Sequence, residues 1–327
     1  RTIGGWSTLP LSFGVLLVVL LASFGADLLG EPPARIHPVV LVGRMAGYLD
    51  RHLRFGGNLR LMGVLLWATC VVPPVVVGAL TLYLLYTLGV FIAWIVASVF
   101  VLKSSFTLFT MDRHVLPILR SLRGGKLEDA RRFLQMIVRR PTSDLDTGLI
   151  CSAAIESVAE GLVDGTCSPL LFYSLFGVLG ALWYRAVNTL DSMVGYTSAD
   201  YLEFGWFSAR VDTMANYLGA RLVGLLTVLA AHILGFDGSA SWSLLQREHS
   251  NTPSVNAGYP IAAFAGALHV RLEKRSHYVI GEGYGYPNVR DVEDSLKLMK
   301  LVTLLFVVVV VLPVGALSVV WHPWWWL

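Results

Sequence analysis

The sequence predicts an all-α, polytopic integral membrane protein, and three observations predict it. Of 327 residues, 55% are hydrophobic and only 14% charged, whereas soluble domains carry about a quarter charged residues. Mean hydropathy is +0.64. Apolar runs recur at about the length needed to cross a hydrocarbon core of about 30 Å. A net charge of +3 without dense basic tracts excludes a dedicated nucleic-acid binder. Cys70, Cys151 and Cys167 show no C-x-x-C or Cys/His spacing. They read as buried thiols rather than a metal or disulfide framework.

Taken in order, the first strong span is Leu9–Leu29, which lacks the basic n-region and cleavage site of a signal peptide. The second, Leu61–Leu85, contains Pro73 and Pro74, which should kink it. The third, Tyr86–Phe109, carries Lys103 near its end, where the ammonium can snorkel to the interface. The fourth, Leu301–Val320, leads into an aromatic belt of Trp321, Trp324, Trp325 and Trp326. Two weaker runs, Pro169–Tyr184 and Leu222–Phe236, fall below the usual minimum of about 17 residues. They either cross the membrane or form short hydrophobic helices, half-inserted or buried. The whole chain, 1–327, then forms a single membrane-embedded domain whose motifs fall in 110–300.

Arginine and lysine set the expected sidedness. Arg35, Arg44, Arg51, Arg54 and Arg60 precede the second span, and Arg113 to Arg140 follow the third. Both segments should be cytoplasmic. The chain ends are then expected outside. If both weak runs cross, Asp191–Tyr217 is external; if neither does, 110–300 forms a large helical cytoplasmic region, the reading preferred for the chemistry that the resemblance below implies.

Three motifs carry candidate chemistry. In LICSAAIESVAEGLVDG, Asp146 can cap a helix and Gly165 can end it. Glu156, Glu160 and Asp164 recur at i, i+4 and i+8, which places three carboxylates on one stripe. Such a stripe repels itself and wants a cation. It either holds Mg²⁺ together with phosphate oxygens or is a solvated acidic face paired with arginine. In YRAVNTLDSMVGY, Arg185, Asn188, Thr189 and Ser192 share one helix face, with Asp191 beside them. That face is too polar for lipid and should line a cavity or a partner surface. In FGWFSARVDTMANYLGARL, Ser208, Asp212 and Asn216 repeat every four residues near Arg210, which can grip a phosphate or carboxylate bidentately. A fourth stretch, TPSVNAGYPIAAFAGAL, reads as a turn followed by a close-packing helix of small residues.

Several soluble-enzyme signatures do not apply. RSLRGGK lacks the first glycine and closing Ser/Thr of a P-loop. GEGYGYP at Gly281 is not expected to follow a strand, which argues against a dinucleotide fingerprint. No internal repeat pairs two halves, as many secondary transporters require.

The order HPVVLVGR, IVRRPTSDLDTG, AAIESVAEGLVDG, YRAVNTLDSMVGY, FGWFSARVDTMANY and NAGYPIAAFAGAL resembles the CobD/CbiB family of cobalamin biosynthesis. The resemblance implies a multi-pass plasma-membrane ligase, adenosylcobinamide-phosphate synthase, with its active site facing the cytoplasm. It would use ATP and Mg²⁺ to join adenosylcobyric acid to aminopropanol phosphate or aminopropanol. On that basis Asp191, Asp212, Arg185 and Arg210 are catalytic candidates. Asn188, Asn216, His37, Arg44, Arg140 and Asn256 are substrate-binding candidates, and Glu156, Glu160 and Asp164 are metal candidates. Implied partners are the two substrates and membrane lipid, with a second copy or other cobalamin-assembly enzymes beside them. A corrinoid-handling scaffold or transporter without ligase activity is the rival reading, and a signalling protein of the distantly similar AmpE group is another.

Overall fold

The structure, a computed structural model, describes residues 5–54, 57–196 and 198–321. The predicted belt at Trp324, Trp325 and Trp326, and the Trp321 side chain, lie outside what is described. In chain order the helices are α1 (Gly5–Leu29), α2 (Pro38–Leu53), α3 (Leu59–Thr87), α4 (Phe91–Lys103), α5 (Phe109–Arg123), α6 (Leu127–Gln135) and α7 (Thr147–Gly161). There follow α8 (Ser168–Val194), α9 (Trp206–Leu234), α10 (Gly238–Glu248) and α11 (Gly258–Leu268). A hairpin, β1 (Leu272–Lys274) and β2 (Tyr278–Ile280), precedes α12 (Val289–Phe306) and α13 (Leu312–Trp321). One π-helical turn, Leu162–Cys167, joins α7 to α8, and another, Val307–Val311, joins α12 to α13.

Among the described residues, four helical stretches are long and apolar enough to cross a membrane: Leu59–Thr87, Thr147–Val194, Trp206–Leu234 and Val289–Val320. The second and fourth predicted spans lie inside these, and α1 covers the first. The third is corrected. Gly89, at φ 71°, turns the chain between α3 and α4, so α4 is only 13 residues long. Its end is set by Ser104 and Ser105, whose hydroxyls bond back to the Phe100 and Val101 carbonyls. Lys103 does not snorkel. It is 3% exposed and paired at 2.9 Å with both Asp27 and Glu31.

The two weak runs are corrected as well. Pro169–Tyr184 lies within the 48-residue stretch Thr147–Val194, across the point where the backbone leaves helical geometry at Phe176–Gly177, and Leu222–Phe236 continues the 29-residue α9. Neither is a short isolated helix, so the placement of all of 110–300 on one side no longer follows. Gly165 does not end its helix either. The π-helical turn carries the chain through it into α8. The bend comes later, at Phe176–Gly177, where Gly177 takes φ 67°, a conformation a side chain would strain.

The described residues form two compact units. One comprises 1–107, 168–215 and 309–327. Here α2, α3 and α8 pack around Val42, Ala46, Leu66, Val71, Val187 and Leu190. Asn58 caps α3 by accepting the Leu61 N–H at 3.1 Å. Gly63 has no room for a Cβ, because the Phe204 carbonyl lies directly against it. Cys70 is a buried thiol in this core.

The other unit comprises 108–167 and 216–308. Its centre is α7, buried from Leu149 to Glu156 on every face, as expected of a helix that is apolar all round. Asp146 caps it as predicted, accepting the Leu149 N–H at 2.9 Å. Around it lie α6, α11, α12 and the hairpin, with Cys151 and Cys167 buried as thiols. The small-residue helix α11 fits tightly on α10, where the Ala240 backbone leaves no space beside Gly266. The hairpin pairs Leu272 with Ile280 and Lys274 with Tyr278. GEGYGYP therefore does follow a strand, contrary to expectation. That strand is the return arm of an antiparallel hairpin, and the next helix starts only at Val289, so no dinucleotide-binding βα turn results.

Candidate functional site

Each unit holds a polar cluster built from predicted site residues. In the first unit it grows from α8. Ala186, Val187, Leu190 and Val194 face the core, which leaves Arg185 and Asn188 on another side of the helix. Arg185 Nη1 donates to Asn188 Oδ1 at 3.2 Å, the i, i+3 contact of the predicted stripe. Asn188 Nδ2 in turn donates to Asp212 Oδ1 of α9 at 3.2 Å. Asn188 is 7% exposed and Asp212 9%. A guanidinium, an amide and a carboxylate thus form one chain of hydrogen bonds among apolar neighbours. The guanidinium can hold an anion, and the carboxylate can take a proton.

Asp191, one turn on, lies against Gly195, where a Cβ would collide with its carboxylate. Arg210 and Arg44 are exposed. His37 is the N-cap residue of α2, next to Pro38, and its Nε2 lies 3.2 Å from Glu31. The structure therefore joins Arg185, Asn188 and Asp212, and leaves Arg210, Arg44 and His37 elsewhere.

In the second unit the cluster forms on α7. Glu156 Oε1 accepts from Arg140 Nη2 at 3.2 Å and from Ser152 at 3.1 Å, and Glu156 Oε2 accepts from the Tyr278 hydroxyl at 2.9 Å. Ser152 also accepts the Glu273 N–H at 2.8 Å, and Arg140 reaches the Glu273 carbonyl. Together these bonds fasten the hairpin to α7. Burial and the Glu156 charge hold the Tyr278 hydroxyl well above its ordinary pKa, so it remains a donor. The Tyr286 hydroxyl and Arg271 hold the Glu273 carboxyl below the usual carboxylate range, against some desolvation. A cleft of about 320 Å³ opens beside this cluster, lined among others by Arg140, Asp144, Leu149, Glu273, Arg275 and His277.

These residues do not fit a resident metal. Among the described residues no group of three or more His, Cys, Asp or Glu side chains converges as a metal centre would. Both oxygens of Glu156 are taken by donors. Asp164 lies in the π-helical turn, whose i→i+5 bonding puts more residues in each turn and so shifts it off the i, i+4, i+8 stripe. Glu160 is faced by the Glu156 carboxylate and also by Lys274, Arg140 and Arg139, so cations of the protein itself already stand near the two acids.

Two predicted polar residues of this unit, Asn216 and Asn256, are 2% and 8% exposed. Asn256 accepts from Arg221 Nη1 at 3.1 Å. Sequence reasoning missed Arg221, Ser152, Glu273 and Tyr278. The spacing of Tyr217 and Arg221, i and i+4 at the start of an apolar run, was a usable signal for the first. The three-residue strands offered none for the last two.

The CobD/Cbib protein family matches residues 19–321. The chain is 40% identical over 299 residues to a protein of Thermoplasma volcanium described as a probable cobalamin biosynthesis protein CobD, covering 91% of this chain and 97% of that one. It is 39% identical over 278 residues to the cobalamin biosynthesis protein CobD of Geobacter metallireducens, covering 84% and 86%. It is 48% identical over 172 residues to a probable CobD of Aeropyrum pernix, covering 53% and 54%. No solved structure matches the chain.

Proposed function

The chain belongs to the CobD/CbiB family of cobalamin biosynthesis proteins, and from that premise we propose that it is an ATP-dependent amide ligase. Its substrates in this reading are adenosylcobyric acid and aminopropanol phosphate or aminopropanol, and its product is adenosylcobinamide phosphate or the corresponding cobinamide. The observation that carries the reading is the buried chain Arg185–Asn188–Asp212 in a protein with little charge to spare. Such a group in an apolar setting is costly to keep and marks a working site.

A carboxylate is a poor electrophile. ATP supplies the activation: the carboxylate attacks the terminal phosphate, ADP leaves, and the resulting acyl phosphate can be displaced by the amine with release of phosphate. The protein's own part is positioning and charge neutralisation. Arg185 holds the reacting carboxylate or its phosphoryl oxygens, and Asn188 fixes the guanidinium in place. Asp212 receives the proton that the amine loses as the amide forms, and Asp191 stands near as an orienting group. In this reading any Mg²⁺ would come with the phosphates of ATP and would add charge neutralisation there, since no three-carboxylate cage among the described residues would hold it.

ATP is cytoplasmic, so in this reading the site opens to the cytoplasm from a multi-pass protein of the plasma membrane. The test is direct. Detergent-purified protein supplied with adenosylcobyric acid, aminopropanol phosphate, ATP and Mg²⁺ should yield a product of the summed mass less water, with one ADP per amide. Corrinoid that binds but is returned unchanged would support the scaffold or transporter reading instead.

A further inference from the structure

Arg221 lies on α9, within a stretch apolar enough to cross a membrane. Its guanidinium is sandwiched between two rings, 3.3 Å from the Tyr217 centroid and 4.3 Å from that of Tyr259. Nη1 donates to the Tyr217 carbonyl at 2.7 Å and to Asn256 Oδ1 at 3.1 Å. Tyr259 itself packs against the His249 ring, tilted by 42° with centroids 4.5 Å apart. The loop carrying Asn256 closes so tightly that the His249 carbonyl fills the space beside Gly258. The arginine is therefore held in one rotamer before any ligand arrives, which lowers the cost of binding.

The charge balance is incomplete. Among the described residues no carboxylate lies within salt-bridge distance of Arg221, although thirteen ion pairs involve other residues. Two ring faces and two neutral oxygens soften an ammonium-like charge but do not cancel it. The Nη1 hydrogens are spent. The Nε and Nη2 edge makes no hydrogen bond within the described residues, and that edge is the fork that grips an oxyanion bidentately.

We propose that Arg221, flanked by Tyr217, Tyr259 and Asn256, is a receptor for a phosphate group, and that the phosphate is that of the phosphorylated amine substrate. The second part rests on the ligase reading above. A lipid headgroup offers the same phosphate chemistry, because Tyr217 and Leu218 beside Arg221 are more than half exposed. The experiment has an arm for each source.

Calorimetry on the full chain in detergent would compare aminopropanol phosphate with aminopropanol. The wild type should bind the phosphorylated amine about tenfold or more tightly, Arg221→Gln should erase that gap, and Arg221→Lys should keep part of it. A gap that survives in Arg221→Gln, or equal loss of both amines, would overturn the assignment. In a second arm, nanodiscs of phosphatidylcholine with and without phosphatidylglycerol would be assayed for retained anionic lipid. If Arg221→Gln lost that lipid while the amine gap stood unchanged, the substrate assignment would fall. Turnover separates the two claims. No amide formation with the binding gap intact counts against the ligase and leaves the receptor. Turnover of aminopropanol in a wild type that shows no gap does the reverse.

Discussion

The two polar clusters are built alike in one respect and differently in another. Each sets a buried carboxylate on a helix. Glu156 is answered by a guanidinium, a serine hydroxyl and a tyrosine hydroxyl, so its charge and its lone pairs are spent on holding the hairpin to α7. Asp212 is met by the neutral amide of Asn188, with Arg185 one bond further along. The first arrangement fastens a structure together. The second places the neutral amide of Asn188 between a guanidinium and a carboxylate, so the two charges are joined through it. Two acidic motifs of similar appearance in the sequence thus meet different partners.

The sharpest way to break this contrast is to neutralise each carboxylate in turn. Asp212→Asn should lower the ligation rate about 100-fold or more, as loss of a proton acceptor does, while thermal unfolding in detergent hardly moves. A near-normal rate would remove Asp212 from the chemistry. Glu156→Ala should do the opposite, costing about 3 kcal/mol of stability because Arg140 and the Tyr278 hydroxyl are left buried without their partner. The double change Arg140→Met with Glu156→Leu should recover most of that loss, since well-packed apolar residues often replace a buried pair without penalty. If the double variant were as unstable as the single, the fastening role would be wrong.

A smaller effect tests the hairpin's own electrostatics. The Glu273 carboxyl is held below its usual range, chiefly by the Tyr286 hydroxyl. A depressed folded pKa contributes stability that is present above the unfolded value, about 4.3, and is lost as pH falls through the folded one. Glu273→Gln should therefore melt earlier than wild type at pH 7, and the two should converge as the pH drops below about 4. The smallest effect belongs to the first unit's surface. Arg60 and Glu203 form an exposed pair, and Glu203→Gln should leave the melting midpoint unchanged within error, as exposed pairs commonly do.

How much of this the sequence discloses depends on the range of the interaction. The α-helical class, the span Leu61–Leu85, the Asp146 cap and the contact between Arg185 and Asn188 all rest on spacings of a few residues, and the structure agrees with each. The errors come where distant residues intervene. Lys103 looked free to snorkel because its partners, Asp27 and Glu31, lie more than seventy positions earlier. Glu156 stayed open between Mg²⁺ and an arginine partner because Tyr278 is 122 residues away and its strand is only three residues long. The continuity of α7 and α8 escaped notice because a π-helical turn carries the chain through Gly165, a residue that more often ends a helix. Apolar length alone also misled: Tyr86–Phe109 is uniformly hydrophobic, yet a glycine turn and two serine back-bonds cut it down to α4.

The central claim is that a corrinoid carboxylate is activated at the expense of ATP. Adenosylcobyric acid labelled with ¹⁸O in its free carboxylate tests this most directly. The account predicts that each turnover releases inorganic phosphate carrying a single ¹⁸O from that carboxylate, alongside ADP and the new amide. Amide formation with unlabelled phosphate, or without consumption of ATP, would contradict it.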